Sequence, residues 1–280
     1  MKKALDFIIY SNIFVALCAT ALAWQTKLLL NIETDVVFDC SVVFLSTLFV
    51  YNFHRYLKKR LDYTGELQYR NIHLGMSVVS VVLLIPFIYN FSGWHWNIFL
   101  LGGVLALMYS IPFLRFKGER YNLRTVPFAK LFVVVLVWTL MTSVFVVRER
   151  DILKDDFLWH LSERLLFLMA ITIPFDMRDM LKDIDSNIKT LPLKLGWKMS
   201  RNASKLFLIL FLLSIFISFL NGYHNIWITT ALMISSVLTY LIINRLEPDS
   251  NANQYTVYLE GMSLTQAILV WFALSLQSFV

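Results

Sequence analysis

Nine apolar runs of roughly spanning length fall at about Phe7–Leu30, Val36–Leu57, Ile72–Phe91, Trp94–Phe113, Val126–Val147, Phe157–Phe175, Leu206–Leu220, Ile226–Ile243 and Tyr255–Phe279. A hydrocarbon core about 30 Å thick takes roughly 20 helical residues, so runs of this length read as transmembrane helices. The run from Leu206 is short and borrows the turn before it. Composition agrees: the 280 residues are 58% hydrophobic and 16% charged, with a mean hydropathy of +0.64. A soluble domain carries about 25% charged residues. The expected fold is all-α, a polytopic membrane protein with nine transmembrane helices bundled around a central cavity. One fold extends over residues 1–280, with no domain boundary. Met1-Lys2-Lys3 mimics the start of a signal peptide, but the run that follows has no small-residue cleavage site and is long enough to span.

Charge sets the orientation. Of the 25 Lys and Arg, 20 lie at the N-terminus and in the connections after the second, fourth, sixth and eighth runs. Lys27, Arg148, Arg150, Lys154 and Arg164 are the five on the other side. The positive-inside rule then predicts a cytoplasmic N-terminus and an external C-terminus. Trp94, Trp96, Trp159 and Trp227 sit near predicted interfaces, as amphipathic rings do. The formal charge of +6 follows from this topology rather than from nucleic-acid binding. Cys18 and Cys40 give neither a disulfide framework nor a metal spacing. There is no Gly-rich nucleotide loop, and His54, His73, His95, His160 and His224 are scattered without ligand spacing.

The chemistry concentrates at Asp176-Met177-Arg178-Asp179-Met180-Leu181-Lys182-Asp183. Carboxylates at i, i+3 and i+7 lie within about 60° on a helix and form one acidic stripe, while Arg178, Lys182 and Asp185 point to the other side. Like charges packed at the end of an apolar run cost free energy, and ionisable residues in a membrane are functional candidates by default. A divalent cation offsets the repulsion. Oxygen-only ligands with open positions suit magnesium shared with a phosphate-bearing substrate. The plainer alternative is a solvated helix end with alternating charges.

Two further basic connections share that face. One, Asn52-Phe53-His54-Arg55-Tyr56-Leu57-Lys58-Lys59-Arg60-Leu61-Asp62, follows the second run. The other, Tyr109-Ser110-Ile111-Pro112-Phe113-Leu114-Arg115-Phe116-Lys117-Gly118, follows the fourth. Together with the acidic stripe they would pair a carboxylate-held metal with several cations below an apolar cavity. Such a site suits a ligand with a polyanionic head and an apolar tail.

These residues resemble the UbiA-type intramembrane prenyltransferases. The Asp176–Asp183 stretch with Ile188-Lys189-Thr190-Leu191-Pro192-Leu193-Lys194-Leu195-Gly196 is similar to that family's second aspartate-rich motif. Tyr109 to Gly118 resembles its loop after the fourth helix. The first motif departs from the pattern: on Asn52, Phe53, Tyr56 and Arg60 stand where three aspartates would. Asn52, Arg55, Tyr56, Lys59 and Tyr63 share a helical face by spacing. Arg55 and Lys59 are therefore candidates to contact a diphosphate directly. The alternative is a basic cluster that anchors the helix at the anionic leaflet.

The resemblance implies an enzyme that transfers a prenyl group from a prenyl diphosphate to an unidentified acceptor. Asp176, Asp179 and Asp183 would hold Mg2+. Arg115 and Lys117 would grip the leaving diphosphate, and Tyr109 would hydrogen-bond an oxygen. Lys130 either faces the cavity or snorkels to the surface, and Glu260 is similarly placed near the start of the last run. A UbiA-type terpene cyclase and a non-catalytic prenyl-lipid or diphosphate-binding membrane protein are the alternatives. The implied partners are prenyl diphosphate, an acceptor and membrane lipids, with oligomeric state left open.

Overall fold

A computed structural model describes residues 2–61, 70–112, 114–116, 119–126, 128–185, 190–247 and 252–277. Most of each apolar run is helical among the described residues. In chain order they give α1 (Lys2–Tyr10), α2 (Ile13–Leu29), α3 (Val36–Leu61), α4 (Arg70–Ile88) and α5 (Gly93–Ser110). Next come α6 (Ala129–Thr139), α7 (Asp155–Arg178), α8 (Met180–Asp185), α9 (Leu191–Leu195) and α10 (Trp197–Leu220). The last are α11 (Ile226–Arg245), α12 (Ala252–Tyr255) and α13 (Gly261–Gln277). The connection after α5 adds a small antiparallel hairpin of β1 (Leu114–Phe116) and β2 (Glu119–Tyr121), with Arg115 opposite Arg120.

Six described helical segments are long and apolar enough to cross a membrane, while Ile13–Leu29 and Ala129–Val144 are apolar but shorter. The shortfall has local causes. The first run does not form one helix, because Asn12 adopts the left-handed conformation (φ 61°) and separates α1 from α2. Asparagine tolerates that region better than most residues. The fifth run starts late, after Phe128 at φ 63°, and passes from α6 into a π-helical stretch at Leu140–Val144. The short run from Leu206 gains two turns at its start, since α10 begins at Trp197.

The helices close a ring. Packing neighbours run α2, α3, α5, α6, α7, α10, α11 and α13, and α13 returns to α2; α4 packs outside on α3. Buried Leu22, Phe167, Leu168, Ile173, Leu208, Ile215 and Leu232 fill one half of the core. Outward faces carry exposed apolar side chains such as Val78, Val82, Leu213, Phe216, Val237 and Leu241, as lipid contact requires. Pro174 within α7 has no N–H, so the Ala170 carbonyl four residues earlier loses its helical donor. Ser204 of α10 supplies one instead, with its Oγ donating to Ala170 O at 2.5 Å. That bond ties α7 to its neighbour about two turns before Asp176.

Candidate active site

Inside the ring lies a cavity of about 1420 Å³, counting its open mouth. Its walls are apolar: Val133, Val134, Val137 and Trp138 from the α6 side, Leu168, Ile171 and Phe175 from α7. One end is polar and charged. Arg55, Tyr109, Arg124, Lys130, Asp176, Arg178, Asp179 and Glu260 all reach it. The C-terminal ends of α3, α5 and α7 supply most of these groups, so this end is the face that carries the basic connections.

The acidic stripe is not one continuous helix. α7 ends at Arg178, Asp179 sits at the junction, and α8 begins at Met180. The three carboxylates nevertheless converge, and Lys130 lies between them. Its Nζ is 2.8 Å from Asp183 Oδ2, 3.0 Å from Asp176 Oδ1 and 3.8 Å from Asp179 Oδ2. Lys130, Asp176 and Asp183 are buried. Two more cations join. Arg178 forks onto Asp179, with Nε to Oδ1 at 2.9 Å and Nη2 to Oδ2 at 3.2 Å. Arg124 Nη2 approaches Asp183 Oδ1 at 3.7 Å.

The helical wheel places Arg178 opposite the stripe; in the structure its side chain nevertheless reaches the cavity, held there on Asp179. Lys130 does not snorkel. Arg124 carried no sequence signal beyond its place in a basic connection, and its role emerges from a short 3-10 turn at Leu123–Thr125. Arg55 lines the cavity, while Asn52 and Tyr56, which share its helical face by spacing, do not. Tyr109 is also a wall residue, with its ring 5.5 Å from that of His54. His54 also lines the cavity, and its Nδ1 pairs with Ser110 Oγ at 3.0 Å. The side chains of Lys59 and Arg115, and all of Lys117, lie outside the described residues.

Asn52 is placed differently from the sequence expectation. It is fully buried in a knot between α2, α3 and α4, and it is not among the cavity-lining residues. Its Oδ1 accepts from Asn12 Nδ2 at 2.9 Å and pairs with His73 Nδ1 at 2.8 Å. Its Nδ2 donates to Ser11 O and Leu48 O, both at 2.8 Å. The amide thus holds the left-handed break before α2 against α3. Its face-mate Tyr56 is also drawn aside, under the Arg70 guanidinium 5.1 Å from the ring centre. Asn52→Leu should therefore cost about 1–3 kcal/mol of stability with little change in ligand affinity. Thermal melting and a binding titration on the same preparation check this; a substrate-binding asparagine would give the reverse.

Glu260 closes the polar end. It terminates a π-helical stretch, Thr256–Glu260, of the kind often found at functional sites. Its Oε2 is buried without a hydrogen-bond partner, and Arg55 and Arg178 are within electrostatic reach.

A helical membrane protein with a charged pole in an apolar central cavity is the class these observations define. Comparison sharpens it: the profile of the UbiA prenyltransferase family matches residues 57–266. The chain belongs to that family. Three solved structures share the fold. A UbiA homolog from Aeropyrum pernix K1, in its apo form, is 10% identical with a TM-score of 0.68, covering 94% of this chain and 98% of its own. A UbiA homolog from Archaeoglobus fulgidus bound to GPP and Mg2+ is 12% identical with a TM-score of 0.66, covering 95% and 99%. Digeranylgeranylglyceryl phosphate synthase in membranes is 14% identical with a TM-score of 0.56, covering 98% and 100%. No curated protein matches the sequence. The six apolar helices and the family together make this an integral membrane protein.

Proposed function

We propose that the protein transfers a prenyl group from a prenyl diphosphate to an acceptor within the central cavity. One observation carries the reading: a single cavity joins a cluster of carboxylates and cations to an apolar wall. A prenyl diphosphate has that same division. The family and the GPP- and Mg2+-bound relative in fold support it.

Arg55, Arg124, Lys130 and Arg178 would take the diphosphate, with Tyr109 beside it, while the chain lies along Val133, Val137 and Phe175. When the allylic carbon–oxygen bond breaks, its electron pair leaves on the diphosphate. Cations already fixed in place stabilise that charge as it forms, without reorganisation. The acceptor's nucleophilic atom then bonds to the carbon, and its proton passes to the Glu260 carboxylate. Asp176, Asp179 and Asp183 offer oxygen-only donors of the kind Mg2+ takes, but Lys130 stands between them and the described residues form no group positioned to hold a metal ion.

A non-catalytic binding role is favoured by one feature: the first motif has Phe53, Tyr56 and Arg60 in place of aspartates. Incubation with labelled geranyl diphosphate, Mg2+ and a panel of acceptors separates the readings. Released diphosphate with an acceptor adduct is the expected result. Release with a cyclised hydrocarbon would indicate a cyclase, and binding without release a non-catalytic protein.

The diphosphate end would face the cytoplasm, with the N-terminus cytoplasmic and the C-terminus external. Reporter fusions at the two ends should give opposite sidedness; the same side for both would break the nine-crossing topology.

A further inference from the structure

We propose that the end of the bundle remote from the charged pole binds a second ligand, a zwitterionic phosphoethanolamine headgroup, with its ammonium on Asp39 and its phosphate on Arg148 and Arg150. The proposal stands apart from the reading of the central cavity. A separate cavity of about 1540 Å³, counting its open mouth, lies among the α2–α3 connection, the start of α5 and residues 146–150. Its wall residues Asp39 and His95 stand near the starts of α3 and α5, the same helices whose C-terminal halves carry Arg55 and Tyr109 to the central cavity. At 1.5 Å per residue, Asp39 and Arg55 are about 24 Å apart along α3. The second cavity therefore opens at the other membrane surface, at the level of the lipid headgroups.

One buried oxygen points to a ligand there. Asp39 is 2% exposed, lines the cavity, and its Oδ1 has no hydrogen-bond partner. His95 Nε2 stands 3.7 Å away, beyond hydrogen-bond reach. The other oxygen, Oδ2, is held by Lys27 Nζ at 2.5 Å, and that ammonium also donates to Thr34 O at 2.6 Å. The carboxylate cannot turn to satisfy Oδ1 without giving up Lys27. A buried acceptor left open is costly, so a ligand that brings a donor to Oδ1 gains affinity.

The rest of the wall fixes the ligand's charge. Lys27, Arg148 and Arg150 are matched by Asp35, Asp39 and Glu149. A ligand with no net charge and separated ends suits that balance better than an anion or a cation alone. Arg148 is exposed, and its Nη2 donates to Thr34 Oγ1 at 3.1 Å. A guanidinium has five N–H donors, so it can hold that bond and still fork onto a phosphate. Trp94, an interfacial aromatic, lines the same cavity and donates to Val147 O at 2.9 Å, which ties the start of α5 to the chain before Arg148. Asp39 selects among headgroups. An ethanolamine ammonium carries N–H donors for Oδ1, whereas the quaternary ammonium of choline carries none.

The test uses the full-length protein, purified in detergent and stripped of lipid. Phosphatidylethanolamine and phosphatidylcholine with identical acyl chains are titrated, and bound lipid is counted by native mass spectrometry. The parent should bind the ethanolamine lipid about tenfold or more tightly than the choline lipid, the worth of one charge-assisted hydrogen bond. Asp39→Asn and Arg148→Gln should each remove most of that preference. Should Asp39→Asn fail to fold once Lys27 loses its partner, Arg148→Gln decides, because its side chain is exposed. Glycerophosphoethanolamine, without acyl chains, distinguishes the sources: displacement of bound lipid by it assigns a lipid site, and its binding where the lipid does not bind assigns a soluble ligand of the same chemistry. Equal affinity of the parent for the two lipids, or a preference that survives in Arg148→Gln, would overturn the proposal.

Discussion

Asp183→Ala should destabilise the protein by about 3–5 kcal/mol, the cost of leaving a buried partner charge uncompensated, and should abolish turnover of a prenyl diphosphate. Asp183 is fully buried, clasped by Lys130 at 2.8 Å and approached by Arg124 at 3.7 Å. Its loss removes a partner from the buried Lys130 and the half-buried Arg124. Asp176 and Asp179 still offset Lys130, which places the effect below that of an isolated buried charge. Against a typical total stability of about 5–15 kcal/mol, the change is large. Thermal or denaturant unfolding in a fixed detergent measures it. A solvated helix end would lose no more than about 0.5 kcal/mol, so a small shift would remove Asp183 from the core of the site.

Arg55→Ala is expected to have the largest effect on affinity for the diphosphate. The side chain lines the cavity from α3, as Asp176 and Asp179 do from the end of α7. A charge-assisted hydrogen bond contributes about 1.5–3 kcal/mol, so affinity for geranyl diphosphate should fall about ten- to a hundredfold. The control is Arg70→Ala. Arg70 lies over Tyr56 rather than in the cavity, and its removal should leave affinity nearly unchanged. Equal losses at both positions would mean a diffuse field of surface charge and not a specific contact. Salt dependence gives a second check, since a diffuse field is screened over about 10 Å at 0.1 M ionic strength and a cavity contact much less.

Much of this was legible in the sequence because lipid leaves the backbone few options. Most of each apolar run is helical among the described residues, and residues from the C-terminal ends of α3, α5 and α7 line one cavity. One place where the pattern misled is a local backbone event. A periodicity argument has no term for the left-handed Asn12, which cuts the first run into α1 and α2. Arg178 misled through its length: the wheel sends its Cβ away from Asp176, but the long side chain folds back onto Asp179 and into the cavity. Asn52 misled for another reason. Its motif-like position in the chain is real, but its amide is consumed by Asn12, His73, Ser11 and Leu48. Long-range pairs were beyond spacing altogether. Lys130 lies 53 residues from Asp183, and nothing within α6 shows that its ammonium meets three carboxylates from α7 and α8.

The central claim is that the charged end of the cavity binds a prenyl diphosphate through its carboxylate cluster and surrounding cations. It is tested most directly by titrating geranyl diphosphate, with Mg2+ present, into the parent and into a variant carrying Asp176→Asn, Asp179→Asn and Asp183→Asn together. Asparagine keeps the shape of each side chain while removing its charge. The parent should bind saturably and the triple variant, checked for folding by its melting profile, should show no measurable binding. Equal affinity in a folded triple variant would contradict the assignment of the site.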